Sequence, residues 1–258
     1  MTCSNIILPG ITPDLLSAIA GHVTSARVCK MVWGGKTVWV KKAIPSKVRW
    51  LHQFQGILGY FNPMLKPTFC QGGAQALREE GHRLQQFLEA GIFVPQVVGI
   101  NADYLVTSDI GSSLRLLIEA ADDTAKKYAL AHRGLQALLT LHQQQKALST
   151  GLIRDLTYNG TQIGYLDFEE DPLQVMPLEA AQARNIILFL FSLIPMLPEN
   201  DIKTLWQLYK SQSEQKILRY IDQLKIMGIL INKITPGPDT WYPRDLRWGR
   251  SLSRIIRG

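Results

Sequence analysis

The stretch Asp155-Leu-Thr-Tyr-Asn-Gly-Thr-Gln-Ile-Gly-Tyr-Leu-Asp167-Phe-Glu-Glu170 is the one β-prone interruption in an otherwise helical second half of the chain. Its Asn159-Gly160 dipeptide is a strong hairpin signal, because both residues tolerate the positive φ that a type I′ turn demands. A two-residue turn there sets Tyr158 opposite Thr161, Thr157 opposite Gln162 and Asp155 opposite Gly164. Asp155 and Asp167 then share the open end of one hairpin. Mg²⁺ takes one or two carboxylates and leaves its other positions to water and phosphate oxygens, so this pair is the first candidate metal site. The ordinary alternative makes Asp155 a hairpin residue bonded to Arg154 and Asp167 a turn former at a strand end.

Upstream of this stretch the pattern is strand-rich. Val28–Trp33 and Lys36–Lys42 are β-prone runs separated by Gly34-Gly35, a second hairpin signal. Alternation turns only one of Lys41 and Lys42 inward, and Lys41 shares a face with Trp39. A lysine pair ending a hairpin is otherwise a solvated edge. Gly72-Gly73 opens a helix expected from Ala74 to Ala90, with Glu79, Glu80 and Arg83 on it and Gly91 as its stop. Short strands are expected at Pro95–Ile100 and Tyr104–Thr107, followed by a connector at Ser108–Ser113. Helices are then expected at Leu114–Ala121, Thr124–His142, Leu178–Leu193 and Asp201–Met227. A strand-rich first half joined to a helix-rich second half indicates an α+β chain in two lobes.

The composition sets the frame for function. With 258 residues, 46% of them hydrophobic, the chain has enough apolar surface for a sizeable core. A net charge of +7 favours anionic partners such as nucleotide, phosphorylated glycan, acidic lipid or nucleic acid. Cys3, Cys29 and Cys70 are scattered and odd in number, which suits a reducing cytoplasm better than a disulfide framework or a zinc site. The first residues lack a signal-peptide pattern, which argues against export. Ile186–Met196 is the most apolar stretch, but it is too short for a membrane span of about 20 residues and reads as a buried helix.

Taken in order, these motifs resemble the protein-kinase-like superfamily. Lys41 in Val38-Trp-Val-Lys41 looks like the strand lysine that meets nucleotide phosphates, and Glu80, or its neighbour Glu79, looks like the helix glutamate that pairs with it. Leu166-Asp167-Phe168-Glu169 is similar to the metal-binding Asp-Phe-Gly segment with Glu in the last place. Tyr104–Gly111 looks like the last small-lobe strand and hinge, with Asp109 as a turn residue. The resemblance spans Val28 to Leu193 and is closest to the atypical bacterial sugar kinases of the lipopolysaccharide core, which act on Kdo or heptose. It implies a β-rich N-lobe with one long helix over residues 1–107, a hinge at 108–113, and a larger helical C-lobe with a basic tail over 114–258. ATP and Mg²⁺ are the implied cofactors, with a lipid-linked glycan at the inner membrane face as acceptor.

Spacing decides the role of Asp155. In the family the catalytic aspartate lies about eighteen residues before the metal aspartate and the loop asparagine about thirteen. Asp155 precedes Asp167 by twelve, so it fits the asparagine's metal position. The base then falls near Ser149-Thr150, and a threonine cannot take a proton from a hydroxyl at neutral pH. Three alternatives stay open: Asp155 serves twice, a neighbour such as Glu169 substitutes, or the site binds without reacting. The readings are an ATP-dependent phosphotransferase, a pseudokinase module of the cell envelope, and, with weaker resemblance, a small protein kinase or an RNA-associated kinase.

Two basic segments bear on partners. Lys47–Phe61 has Trp50, Leu51, Phe54, Ile57, Leu58 and Phe61 at helical spacing, fit to dock on the small lobe or to lie in a membrane interface. The tail from Trp241 interleaves Arg244, Arg247, Arg250, Arg254 and Arg257 with aromatic residues. Arginine forks bind phosphate bidentately, so the tail suits an anionic glycolipid before RNA; a solvated terminal helix is the ordinary alternative. The expected location is the cytoplasm, with peripheral contact at the inner membrane through either segment as the alternative.

Overall fold

The computed structural model describes residues 7–22, 26–45, 62–68, 72–234 and 243–257. The amphipathic stretch from Lys47 to Phe61 lies outside the described residues, as do Trp241 and Tyr242 of the tail. The fold is α+β: among the described residues there are eight α-helices and two small antiparallel sheets. These residues group into two compact units. One takes in the described parts of Met1–Trp50, Thr68–Gly111 and Thr157–Asp171, and the other those of Leu51–Pro67, Ser112–Leu156 and Pro172–Gly258.

The first unit is built on a four-stranded sheet. Helix α1 (Pro13–His22) begins where Thr12 Oγ1 accepts the Leu15 amide at 3.3 Å and Pro13 fills the first helical position. Strands β1 (Val28–Trp33) and β2 (Lys36–Lys42) pair antiparallel around Gly34 and Gly35, both at positive φ, as the turn requires. Helix α2 (Gly73–Glu89) precedes β3 (Val97–Ile100) and β4 (Tyr104–Ser108), and the sheet order is β1-β2-β4-β3. Alternation along β2 gives the sheet two different faces. Val38 and Val40 join Met31, Val106 and the α1 residues Leu15 and Ile19 in one core cluster. Trp39 and Lys41 point the other way.

Helix α2 covers that second face through the stripe Ala76, Leu77, Glu80, Gly81, Leu84 and Phe87. A Cβ at Gly81 would come within 2.8 Å of Leu8 and within van der Waals range of Ile100 and Leu105, so glycine permits the close approach. Leu105 is the β4 partner of Lys41.

The Asn159-Gly160 hairpin forms, but its turn is longer than two residues. Strands β5 (Leu156–Tyr158) and β6 (Ile163–Tyr165) enclose residues 159–162, and the Asn159 amide donates to the Gln162 carbonyl at 3.4 Å. The reason lies in the Asn159 side chain. Its Oδ1 accepts from the Thr161 amide, the Thr161 hydroxyl and the Gln162 amide at 2.8–3.0 Å, a local cap that holds a wider loop. The expected pairings of Tyr158 with Thr161 and Thr157 with Gln162 are therefore replaced, and Asp155 lies before the strand, in a 3₁₀ turn over Ile153–Asp155.

The second unit is helical: α3 (Leu114–Ala120), α4 (Thr124–Gln143), α5 (Leu178–Leu193), α6 (Glu199–Gln212), α7 (Gln215–Ile234) and α8 (Arg244–Arg257). Asp123 caps α4 by accepting the Lys126 amide at 2.7 Å. Helix α5 is buried on nearly all sides, with Ala180, Ala183, Ile186, Phe189, Leu190 and Leu193 in the core. The single helix expected over Asp201–Met227 is two, because Ser213 takes an extended conformation that ends α6. The arginine-rich tail forms α8, which buries Ser253, Ile255 and Ile256. No helix among the described residues is long and apolar enough to cross a membrane.

His142 ends α4 inside this core, its Nδ1 hydrogen-bonded to the Tyr209 hydroxyl at 2.8 Å. Burial lowers its pKa from 6.5 to about 3. The unfolded chain thus takes up a proton below pH 6.5 that the folded chain refuses. Stability should fall with decreasing pH from about 6.5 toward 3, at up to roughly 1.4 kcal/mol per pH unit from this residue. Urea titrations of wild type and His142→Gln between pH 4 and 8 should show a shallower acid limb in the variant; parallel limbs would contradict the assignment.

Candidate functional site

Lys41 enters the site because β2 alternates. Its ammonium lies 2.6 Å from Glu80 Oε2 on α2 and also contacts the Glu169 carboxylate. The helix stripe that buries Leu77 and Leu84 necessarily points Glu80 at the sheet, so its carboxylate is sequestered and must find a cation. Glu79, one position earlier, accepts from the Gln75 side chain on the helix exterior. Glu169 in turn binds Arg27 at 2.6 Å, so two cations and two carboxylates form a short chain.

Burial works against charge on Lys41, but Glu80 and Glu169 outweigh it and hold its pKa above the ordinary lysine value. Burial pushes the Glu80 carboxyl up; Lys41 offsets this, while Glu169 and Asp167 add to it. Glu169 is pushed up by burial but held below the usual carboxylate range by Lys41 and Arg27. The outcome is a charged lysine gripped by two acids.

Arg83, one turn after Glu80, fixes the acidic segment. Its guanidinium donates to the carbonyls of Phe168, at 3.1 Å, and Glu170, reaches toward Asp171, and sits 5.4 Å from the Phe168 ring centroid. Phe168 is fully buried, edge-on to Phe87 of α2 at 4.8 Å. The Thr68 hydroxyl donates to Glu170. Between these anchors Asp167 is half-buried at φ +63°, a left-handed conformation that aspartate tolerates better than most residues. Asp109, at the end of β4, accepts from the Trp39 indole at 2.9 Å.

Asp155 belongs to the second unit. Thr150 donates to its Oδ2 at 2.6 Å, and Arg154 Nε lies 3.3 Å from its Oδ1. The loop that carries Thr150 is strapped to α5 by buried polar side chains. Asn185 bonds both the amide and the carbonyl of Leu148 and the carbonyl of Thr150, Gln182 bonds the carbonyls of His142 and Lys146, and Arg184 bonds that of Ser149. Gly151 adds a steric constraint, since at φ +85° its Cβ position lies 2.8 Å from the Asn185 backbone.

The structure thus joins Lys41 to Glu80 and sets Asp167 in the same unit, while Asp155 and Thr150 are joined in the other. Arg27 and Arg83 were absent from the sequence-based set, and Glu169 appeared there only as a substitute base. The signal for them was the acidic run Asp167, Glu169, Glu170 and Asp171, which needs cations if it is to pack. Among the described residues no group of three or more His, Cys, Asp or Glu is placed to hold a metal ion. No protein-family model and no curated protein matches the chain.

Removing the Lys41 ammonium would leave Glu80 and Glu169 facing each other with little water between. Lys41→Met should cost about 3 kcal/mol or more in urea unfolding, and Lys41→Met/Glu80→Met should recover much of it. The loss should be smaller at pH 5 than at pH 8, because carboxyls with raised pKa values take up protons in the folded state. Additive single and double effects would show that the pair is energetically idle.

Proposed function

We propose that the chain is an atypical, Mg²⁺-dependent, ATP-using phosphotransferase of kinase-like design, resembling the lipopolysaccharide core sugar kinases. The observation that carries this reading is the buried Lys41–Glu80 pair on a strand and a helix, in one unit with an anchored Asp167. A lysine held charged and immobile by a helix glutamate is equipped to meet a phosphate oxygen. The Asp167 carboxylate suits a hard cation, because its backbone is fixed by the burial of Phe168 and by Arg83. Donor chemistry therefore fits both groups: Lys41 for phosphate and Asp167 for Mg²⁺, which would supply charge neutralisation to the transferring phosphoryl group. Asp155 enters as a second metal ligand only through its sequence spacing. A sugar hydroxyl of a lipid-linked glycan at the inner membrane face is the acceptor this reading favours.

A second reading, a pseudokinase module that binds a nucleotide or only a partner, has its own support. Glu169 already occupies the Lys41 ammonium, and Thr150 stands where the family's spacing puts the catalytic base. Glu80 and Glu169 take two of the three N–H donors of Lys41, so a phosphate that came to it would compete with Glu169, which Arg27 also binds.

Thermal unfolding with Mg²⁺ and ATP tests the nucleotide site that the enzyme requires and that a module binding only a partner protein lacks; ATP turnover then divides the enzyme from a nucleotide-binding pseudokinase. Native-state binding at one hundred times Kd adds about 2.7 kcal/mol of apparent stability. The enzyme reading expects a metal-dependent rise in Tm for wild type that is absent in Asp167→Ala. No rise at millimolar nucleotide would sink it, and a rise appearing only in Glu169→Gln would identify a site closed by its own acid.

A further inference from the structure

The helical unit contains a cavity of about 500 Å³ that the reading above does not use. Its charged lining is unbalanced: Arg115 from α3, Lys127 from α4, Arg154 from the turn before β5 and Arg244 from α8 face it, against the single carboxylate of Glu119. Glu119 pairs with Arg115 at 2.8 Å and the nearby Asp155 with Arg154 at 3.3 Å, so among the described residues four cations meet two carboxylates. Like charges gathered around a concavity repel one another, and a bound anion relieves that repulsion.

The cavity is built rather than incidental. Ser192 on α5 accepts the Ile153 amide at 3.0 Å and donates to the Phe189 carbonyl, which pins the turn from which Arg154 projects. Arg244 lies over the Trp248 ring at 5.0 Å, and Trp248 meets Phe191 edge-on at 5.7 Å. Guanidinium groups grip phosphate through paired N–H donors, and stacking on an indole holds such a group in orientation. A bare phosphate would leave much of the volume empty. That remainder is bounded by Phe191, Met196, Trp248 and Leu152, an apolar wall beside the cationic one.

We propose that this cavity binds a phosphate monoester carrying an apolar group, with Lys127 and Arg154 on the phosphate and Trp248 and Phe191 against the apolar part. The assignment stands on the second unit alone and is independent of nucleotide binding at Lys41.

Titration calorimetry of the full chain with n-octyl phosphate tests it. The expected result is saturable binding, weakened about 10-fold or more in Lys127→Gln/Arg154→Gln, with inorganic phosphate failing to compete at equal concentration. Both substituted residues are at least partly exposed, and an unchanged Tm verifies the fold of the variant; if that variant unfolds, Arg115→Gln replaces it, with weaker binding again expected. Vesicles of phosphatidylcholine with and without phosphatidic acid divide the sources. Competition by the phosphatidic acid vesicles alone identifies a lipid headgroup, and octyl phosphate binding without such competition identifies a soluble ester; either supports the site. Absence of saturable octyl phosphate binding, undiminished binding by a folded charge variant, or equal binding of inorganic phosphate would overturn it.

Discussion

The face of the sheet that α2 covers is organised around the burial of one ammonium group. Lys41 is set inward by strand alternation, and a buried charge must be paired. Glu80 meets it because α2 packs on that face of the sheet in the phase that also buries Leu77, Leu84 and Phe87. Glu169 meets it because Phe168 is wedged against Phe87 and Arg83 takes up the neighbouring carbonyls. Loosening any of these contacts would leave a charge buried without its partner. Electrostatics and packing are therefore one constraint here, and Asp167 inherits its fixed position from both.

Local chemistry made part of this legible. The Gly34-Gly35 turn, the inward choice of Lys41 and the limits of α2 all follow from short-range rules of backbone conformation and period. Helix α1 is legible as well, since Thr12-Pro13 is a helix-start signal. What was not legible depended on distance along the chain or on side-chain competition. Asn159-Gly160 announces a two-residue turn, yet the Asn159 carbonyl oxygen gathers three donors and opens the loop to four residues. Ser213 divides two helices without a glycine or proline to mark it. Glu169 and Lys41 are 128 residues apart, and nothing near either one names the other.

The helical unit shows a different economy of polar groups. Gln182, Arg184 and Asn185 occupy about one turn of a largely apolar helix, and they direct their hydrogen bonds to the backbone of one loop. A loop whose carbonyls are satisfied by fixed amides behaves as part of the core. This is why Thr150 and Asp155 can be held 2.6 Å apart on a segment without regular secondary structure. In sequence such amides look like surface residues, and only the burial of the surrounding α5 positions reveals their use.

The sheet-bearing unit is assembled from three separate pieces of chain, the last of which ends at Asp171. During synthesis its four strands are complete once Ser108 has emerged, yet Phe168 and Glu169 arrive some sixty residues later. Domains generally fold as units as they leave the ribosome, at about 5–20 residues per second. For several seconds, therefore, the face of α2 that receives Phe168 stays open, and Lys41 has Glu80 as its only acid from this cluster. The nascent chain in that interval is an unfinished sheet whose Lys41–Glu80 pair is open to water. Until the acidic segment closes over it, that open face is apolar surface of the kind that chaperones hold and proteases reach.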